Sequence, residues 1–395
     1  MKNYLDPREV SGDGIAVESY HPAYETSGIR GVSLALQYAI MALCVFHRAA
    51  LDFVGGEGDA MPTTRRTFLG SVGATAALGI VGAGTIVQAR GGTSGAMQAS
   101  GTAKNKCLFW VAALTPCDKN LKFDESVYAE MMAYFKAAGA DGVVVLGTTG
   151  EYPSFSLAER KQVAETAFKH RNGLNIIVSP GTSNFPETIE LSRHAAENGA
   201  DGLLIIPPFY YKNPPLEGLT EYFSLIFEQV KIPINLYHIP DTSGVPISIE
   251  LLRSVKKYPN LAGIKDSDDS VPDYQRFVNE FPSLNMRTGT VTNLKAALDH
   301  DMGAILMEGN LFTRQIAAVF AAKRAGKSLG EPLAKLDAAI KLLEPAGGYH
   351  FGTMKYALSL QMDSRQTYPR PPHTHASDEQ KGKMQAALQQ MKQIG

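Results

Sequence analysis

From residue 107 onward, eight short apolar runs recur at nearly even spacing: CLFWVAALTP (from 107), GVVVLGTTG (from 142), NIIVSPGTS (from 175), GLLIIPPFYY (from 202), PINLYHIP (from 233), LAGIKDS (from 261), NMRTGT (from 285) and GAILMEGN (from 303). Between them lie segments with apolar residues at i, i+3, i+4 spacing, such as SLAERKQVAETAFKH (156–170) and PETIELSRHAAENG (186–199). Strand-like runs alternating with amphipathic helices predict a parallel sheet with crossover helices. The repeat averages about 28 residues, close to the roughly 31 of an eight-unit (β/α)8 barrel. A doubly wound sheet is the competing architecture, but it has fewer strands and opens with a glycine fingerprint after the first; here the first run ends in Thr115 and Pro116. The spacing therefore predicts a (β/α)8 barrel over 107–313, with extra C-terminal helices over 314–395.

Upstream of the barrel the composition changes. MPTTRRTFLG (61–70) is followed by SVGATAALGIVGAGTIVQA (71–89), a weakly hydrophobic, uncharged, Gly/Ala-rich run. The paired Arg65 and Arg66 before Phe68-Leu69 read as a twin-arginine export signal, with small residues around Ala89 for a signal peptidase. A buried Gly/Ala helix and a membrane span are the alternatives; so much Gly makes a poor bilayer helix. The expectation is a signal at 61–89 recognised by the twin-arginine translocase, and a periplasmic or secreted product. Residues 1–60 are then an upstream extension foreign to the natural protein, whose start is Met61, and 90–106, rich in Gly, Ser, Thr and Ala, is a linker.

With 38 Lys+Arg against 39 Asp+Glu, the net charge of −1 leaves no electrostatic footprint for nucleic acid. Three cysteines are too few for a disulfide framework.

Barrel enzymes carry their reacting groups at the C-terminal ends of strands. The second run ends in GTTGE (147–151), where glycines allow a tight turn and successive N–H groups with two hydroxyls can grip a carboxylate. The fourth run ends in Tyr210-Tyr211, the fifth in Tyr237, the sixth in Lys265. Strands five and six are neighbours, so Tyr237 and Lys265 can face one another. A buried strand-end lysine is either a structural ion pair, here with Asp266 or Asp268, or a Schiff-base amine. At an unperturbed pKa only about 0.04% of a lysine is neutral at pH 7, and desolvation raises that fraction. A phenol alongside can shuttle protons, although Tyr237 taken alone also reads as a core tyrosine.

GTTGE (147–151), PPFYYKNPPLEGL (207–219), YHIPDTSG (237–244) and GIKDS (263–267), in this order, resemble the dihydrodipicolinate synthase and N-acetylneuraminate lyase family of class I aldolases. The resemblance implies that Lys265 forms an imine with pyruvate or another 2-oxo acid and that Tyr237 transfers protons. It implies that Thr148 and Thr149, with Gly150, hold the substrate carboxylate, the Thr148 hydroxyl linking Tyr237 to Tyr211. It further implies that Tyr211 reaches a neighbouring subunit's site in a homodimer or homotetramer, and that Gly289 and Ile305 line the pocket floor. No metal or other cofactor is implied beyond the imine. Where the synthases carry an arginine for the second substrate's carboxylate, this chain has Thr242, which turns the reading toward sugar-acid aldolases and dehydratases. His238 and Glu308 are placed to meet substrate hydroxyls. The expected activity is a lyase acting on pyruvate, with an aldehyde partner, or on a 2-oxo-3-deoxy sugar acid. A non-catalytic periplasmic 2-oxo acid binder and 4-hydroxy-tetrahydrodipicolinate synthase itself are the alternatives. Gly326-Lys327-Ser328 imitates a phosphate loop but has Ala321 where the first glycine is required, and His373-Thr374-His375 lacks a third ligand at suitable spacing for a metal.

Overall fold

The computed structural model describes residues 107–394; the twin-arginine segment, the linker and the upstream extension lie outside the described residues. Eight parallel strands close into a barrel in chain order: β1 Phe109–Ala112, β2 Gly142–Val145, β3 Asn175–Val178, β4 Gly202–Ile205, β5 Ile234–His238, β6 Leu261–Asp266, β7 Asn285–Thr288 and β8 Ala304–Leu306, with β8 pairing back onto β1. Each strand forms inside one of the eight runs. The strands are buried on both faces, which is why they read as continuous apolar stretches rather than as alternation; β2, GVVV, is buried throughout.

The intervening helices are α1 Glu125–Ala137, α2 Leu157–Lys169, α3 Phe185–Glu197, α4 Leu216–Gln229, the short α5 Pro240–Ser243 with α6 Ile249–Val255, α7 Val271–Glu280, α8 Leu294–Asp299 and α9 Gly309–Arg324. Side-chain caps set their starts. Asp124, Ser156, Asn184, Ser248 and Ser270 each accept a first-turn backbone N–H, and Ser156 with Glu159 forms a reciprocal capping box. Such a cap contributes about 1 kcal/mol. On α2 the buried Val163, Ala164 and Ala167 form the stripe that faces the sheet.

One expectation shifts. The fourth run does not stay extended to its tyrosines: β4 stops at Ile205, because Pro207 and Pro208 have no N–H to give a ladder. Tyr210 and Tyr211 stand instead on the following loop. The helix after β8, Gly309–Arg324, is kinked at Phe312, whose backbone is non-helical at φ −118 and ψ 30, next to residue 313 where the sequence divides barrel from extension. Beyond it α10 Gly330–Leu343 and α11 Phe351–Met362 pack on α9, α12 Asp378–Ile394 packs on α10 and α11, and α11 also touches α1. Gly326-Lys327-Ser328 is the turn after α9, with Gly326 at φ +65. His373 packs against the Phe351 ring and His375 against Tyr368.

Candidate active site

Register brings the central pair together. Tyr237 on β5 is the Cα partner of Lys265 on β6, and register partners on adjacent parallel strands point the same way, here into the barrel. Both side chains are buried, and Lys265 Nζ donates to Tyr237 Oη at 3.0 Å. The ammonium also lies 4.4 Å from the phenol ring centroid. Burial alone would push the phenol up, but the charge of Lys265, its hydrogen bond, and the Thr148 and Ser267 hydroxyls outweigh it, so Tyr237 sits below its ordinary value. Among the described residues Lys265 joins no ion pair with a carboxylate. Asp266, the next residue, faces the opposite way by strand alternation; its Oδ1 accepts the Asp268 N–H at 2.9 Å, and burial pushes its carboxyl up to about 7.

The GTTGE loop leaves β2 through Leu146 at φ +60. The Gly150 and Glu151 N–H groups close the turn onto the Gly147 and Thr148 carbonyls, each at 3.0 Å. A Cβ on Gly150 would meet Leu146 N and Cα at 3.1 Å and the Ala113 carbonyl at 3.2 Å, so a side chain there would crowd the backbone of the turn; Thr115 Oγ1 donates to the Gly150 carbonyl at 2.8 Å. Among the described residues the N–H groups of Thr148 and Thr149 donate to no partner, and Thr148 Oγ1 is buried beside the Tyr237 phenol. Two N–H groups and a hydroxyl at a tight turn form a concavity suited to a carboxylate. Gly289 closes the other side: a Cβ there would lie 2.0 Å from Ser267 Oγ and 2.8 Å from Lys265 Cε. Ile305 is fully buried on β8, the Cα partner of Trp110.

Other expected residues stand apart from this cluster. Tyr211 is 75% exposed, edge-on to Tyr210 at 5.2 Å between ring centroids, so no link from Thr148 to Tyr211 forms within one chain. Thr242 is exposed on α5 and its hydroxyl makes no hydrogen bond among the described residues. Lys212 ties these two loops together, donating to the Phe209 carbonyl at 2.6 Å and the Ser243 carbonyl at 2.7 Å. His238 does not face the pocket: alternation turns it outward, where its Nδ1 accepts the Ile247 N–H at 2.9 Å and its ring packs on Phe277. Glu308, just past β8, is buried close enough to Lys265 for the ammonium to act on its carboxyl.

Two features carry little sequence signal. Arg287, the Cα partner of Lys265 on β7, is buried in the barrel interior, hydrogen-bonded to Asn235 Oδ1 and stacked on Trp110 at 4.5 Å. Burial lowers its guanidinium to about 10. Glu151 is buried, in the left-handed region at φ +54, and paired with Lys355 of α11. Nothing in the order of residues joins positions 151 and 355.

A closed parallel barrel whose C-terminal end holds a buried lysine on a phenol, beside a loop of free N–H groups, is the framework of a barrel enzyme that binds small carboxylates. The sequence profile of the Dihydrodipicolinate synthetase family matches residues 108–391, and the chain belongs to that family. It is a lyase of the class I aldolase type. It is 31% identical over 265 residues, covering 66% of this chain and 88% of the other, to an uncharacterized DapA-like lyase of Chloroflexus aurantiacus. To a 4-hydroxy-tetrahydrodipicolinate synthase of Agrobacterium fabrum it is 36% identical over 222 residues, 54% of this chain and 74% of that one. Among solved structures, YagE, a prophage protein of the dihydrodipicolinic acid synthase family from E. coli K12 in complex with pyruvate, superposes with a TM-score of 0.66 at 26% identity, covering 72% of this chain and 98% of that one.

Proposed function

We propose that Lys265 forms an imine with the carbonyl carbon of pyruvate or of a 2-oxo-3-deoxy sugar acid, and that the enzyme makes or breaks the bond beyond C3 through the derived enamine. The observation that carries this is the Lys265–Tyr237 pair: a buried amine 3.0 Å from a phenol, with no carboxylate holding it among the described residues. Lys265 attacks the carbonyl carbon as the free amine, and Tyr237, its pKa held down by the Lys265 charge, relays protons from the amine to the carbinolamine oxygen, which leaves as water to give the imine, and then from C3 to give the enamine. The Thr148 and Thr149 N–H groups receive the substrate carboxylate and fix the carbonyl above Nζ.

The sugar-acid side of the family is favoured for the second half of the substrate. An aldehyde bearing a carboxylate needs a cationic clamp, and the position after Tyr237 that would supply one carries the uncharged Thr242. Export through the twin-arginine route fits a catabolic lyase better than a biosynthetic one, since biosynthetic intermediates are cytosolic. Association into a homodimer or homotetramer is part of the same reading, with Tyr211 completing a neighbour's site.

The test is reduction with sodium borohydride in the presence of pyruvate, followed by intact-mass measurement. The expected result is one pyruvate-derived adduct per chain, absent in Lys265→Ala. No adduct with pyruvate or with longer 2-oxo acids would sink the imine mechanism and leave a binding protein.

A further inference from the structure

Arg370 lies on the segment between α11 and α12, and its side chain reaches three stretches of chain at the mouth of the barrel. Nε donates to the Leu121 carbonyl at 2.9 Å, on the loop after β1. Nη1 donates to the Ser154 carbonyl at 2.6 Å, in the single turn Tyr152–Ser154 that follows GTTGE. Nη1 and Nη2 also grip the Glu159 carboxylate in the first turn of α2, at 3.2 and 2.5 Å, and the guanidinium lies 4.0 Å from the Phe155 ring centroid. Its backbone N–H adds the bond to Glu151 Oε2. Glu159 meets it as a carboxylate, because the Arg370 hydrogen bond above all holds that carboxyl down at about 2.

These contacts converge on one piece of chain. Between β2 and α2 the strand tethers one end of the GTTGE turn, and Arg370 fixes the other at residues 151, 154 and 159. Leu146 and Glu151 bracket the turn in the left-handed region, at φ +60 and +54, a conformation that residues with a Cβ keep where surrounding contacts enforce it. A planar donor fork can serve two carbonyls and a carboxylate at once, whereas an ammonium cannot span them. None of the Arg370 hydrogen bonds goes to β5 or β6, the strands that carry Tyr237 and Lys265. N–H groups aimed in advance at the place of an anion bind it without being reordered at each encounter. Loosening them therefore weakens a charged ligand more than a neutral one of the same shape.

We infer that Arg370 is a positioning residue for the substrate carboxylate: by holding the far end of the GTTGE turn it aims the Thr148 and Thr149 N–H groups, so that preference for an ionised 2-oxo acid over a neutral ketone is set from the C-terminal extension. The inference rests on the imine reading above and deepens it, by naming what makes that site selective for acids.

The experiment is borohydride trapping on the purified protein with two probes of one shape, pyruvate and its neutral amide, pyruvamide. The half-trapping concentration is read by intact mass for each. The parent should trap pyruvate at a concentration roughly tenfold or more below that of the amide. Arg370→Met should narrow this ratio about fivefold or more by raising the pyruvate value, while the extent of trapping at saturating pyruvate stays near the parent's. Arg370→Lys, which keeps a charge for Glu159 but not the fork, should recover part of the ratio. Arg365→Met is the control: Arg365 ties the same segment to Asp124 at 3.2 Å and makes no hydrogen bond to the GTTGE turn among the described residues, so its ratio should match the parent's. A ratio is independent of the fraction of folded protein, so poor folding of one variant does not imitate the effect. An unchanged ratio in Arg370→Met, an equal loss in Arg365→Met, or a parent that does not favour pyruvate over the amide overturns the inference. A parent that traps neither probe, nor any longer 2-oxo acid, defeats the imine reading itself and the inference with it, an outcome distinct from a lost ratio.

Discussion

At the scale of single residues, the site depends on which face of a strand each side chain occupies. Tyr237 and Lys265 point into the barrel, while their chain neighbours His238 and Asp266 point out and serve the loops. Residue type alone could not separate these roles: histidine beside a candidate proton carrier reads as a ligand for hydroxyls until its Nδ1 is found on the Ile247 N–H. Asp266 and Glu308 share a further property, carboxyls raised to about 7 by burial. Their folded-state values lie above those of the unfolded chain, so the native state binds more protons between about pH 4 and 7. The stability they contribute is complete below that window and is lost as pH rises through 7. His238, lowered by burial, acts in the opposite sense below its unfolded value of 6.5. Substitution isolates the carboxyl: urea unfolding of the parent and Asp266→Asn at pH 5 and pH 8 should show the parent losing more stability with rising pH, by up to about 1.4 kcal/mol per pH unit. Parallel pH curves for the two proteins would show that Asp266 is ionised in the fold.

At the scale of elements, the GTTGE loop is held from outside the barrel proper. Glu151 is paired with Lys355 of α11, accepts the Arg370 N–H at 2.9 Å, and Lys355 donates in turn to the Tyr368 carbonyl at 2.9 Å. The C-terminal helices therefore position the turn that presents the Thr148 and Thr149 N–H groups. Lys355→Met leaves the Glu151 carboxylate buried without a counter-charge and should destabilise the protein by about 3–5 kcal/mol. Adding Glu151→Gln should return part of that loss, measured by urea unfolding. If Lys355→Met costs no more than the double variant, the pair is not what holds the loop. The strands themselves were legible as apolar runs because parallel strands covered by helices have no polar face. Their ends were not: the run at 202–211 continues in apolar and aromatic residues, and only the prolines mark where pairing stops.

At the scale of the whole molecule, Tyr210 and Tyr211 are 74% and 75% exposed, a pair of rings edge-on to each other beyond β4. Large apolar side chains grouped at the surface mark association sites. We expect the purified protein to sediment at two or four times the chain mass, and Tyr210→Ser with Tyr211→Ser to shift it toward smaller species; a monomer at micromolar concentration would show that the site is complete in one chain. The sequence by itself determined the barrel, its strand order and the four motifs at its mouth, because a local period in hydrophobicity repeated eight times admits few closed solutions, and strand ends then fall where the motifs stand. Only the tertiary structure decided that Lys265 rests on Tyr237 rather than on Asp266, that His238 turns away, and that Glu151 is neutralised from position 355. Those outcomes depend on register and on contacts between residues far apart in the chain, and a pattern of neighbours carries no record of which distant groups burial will bring together.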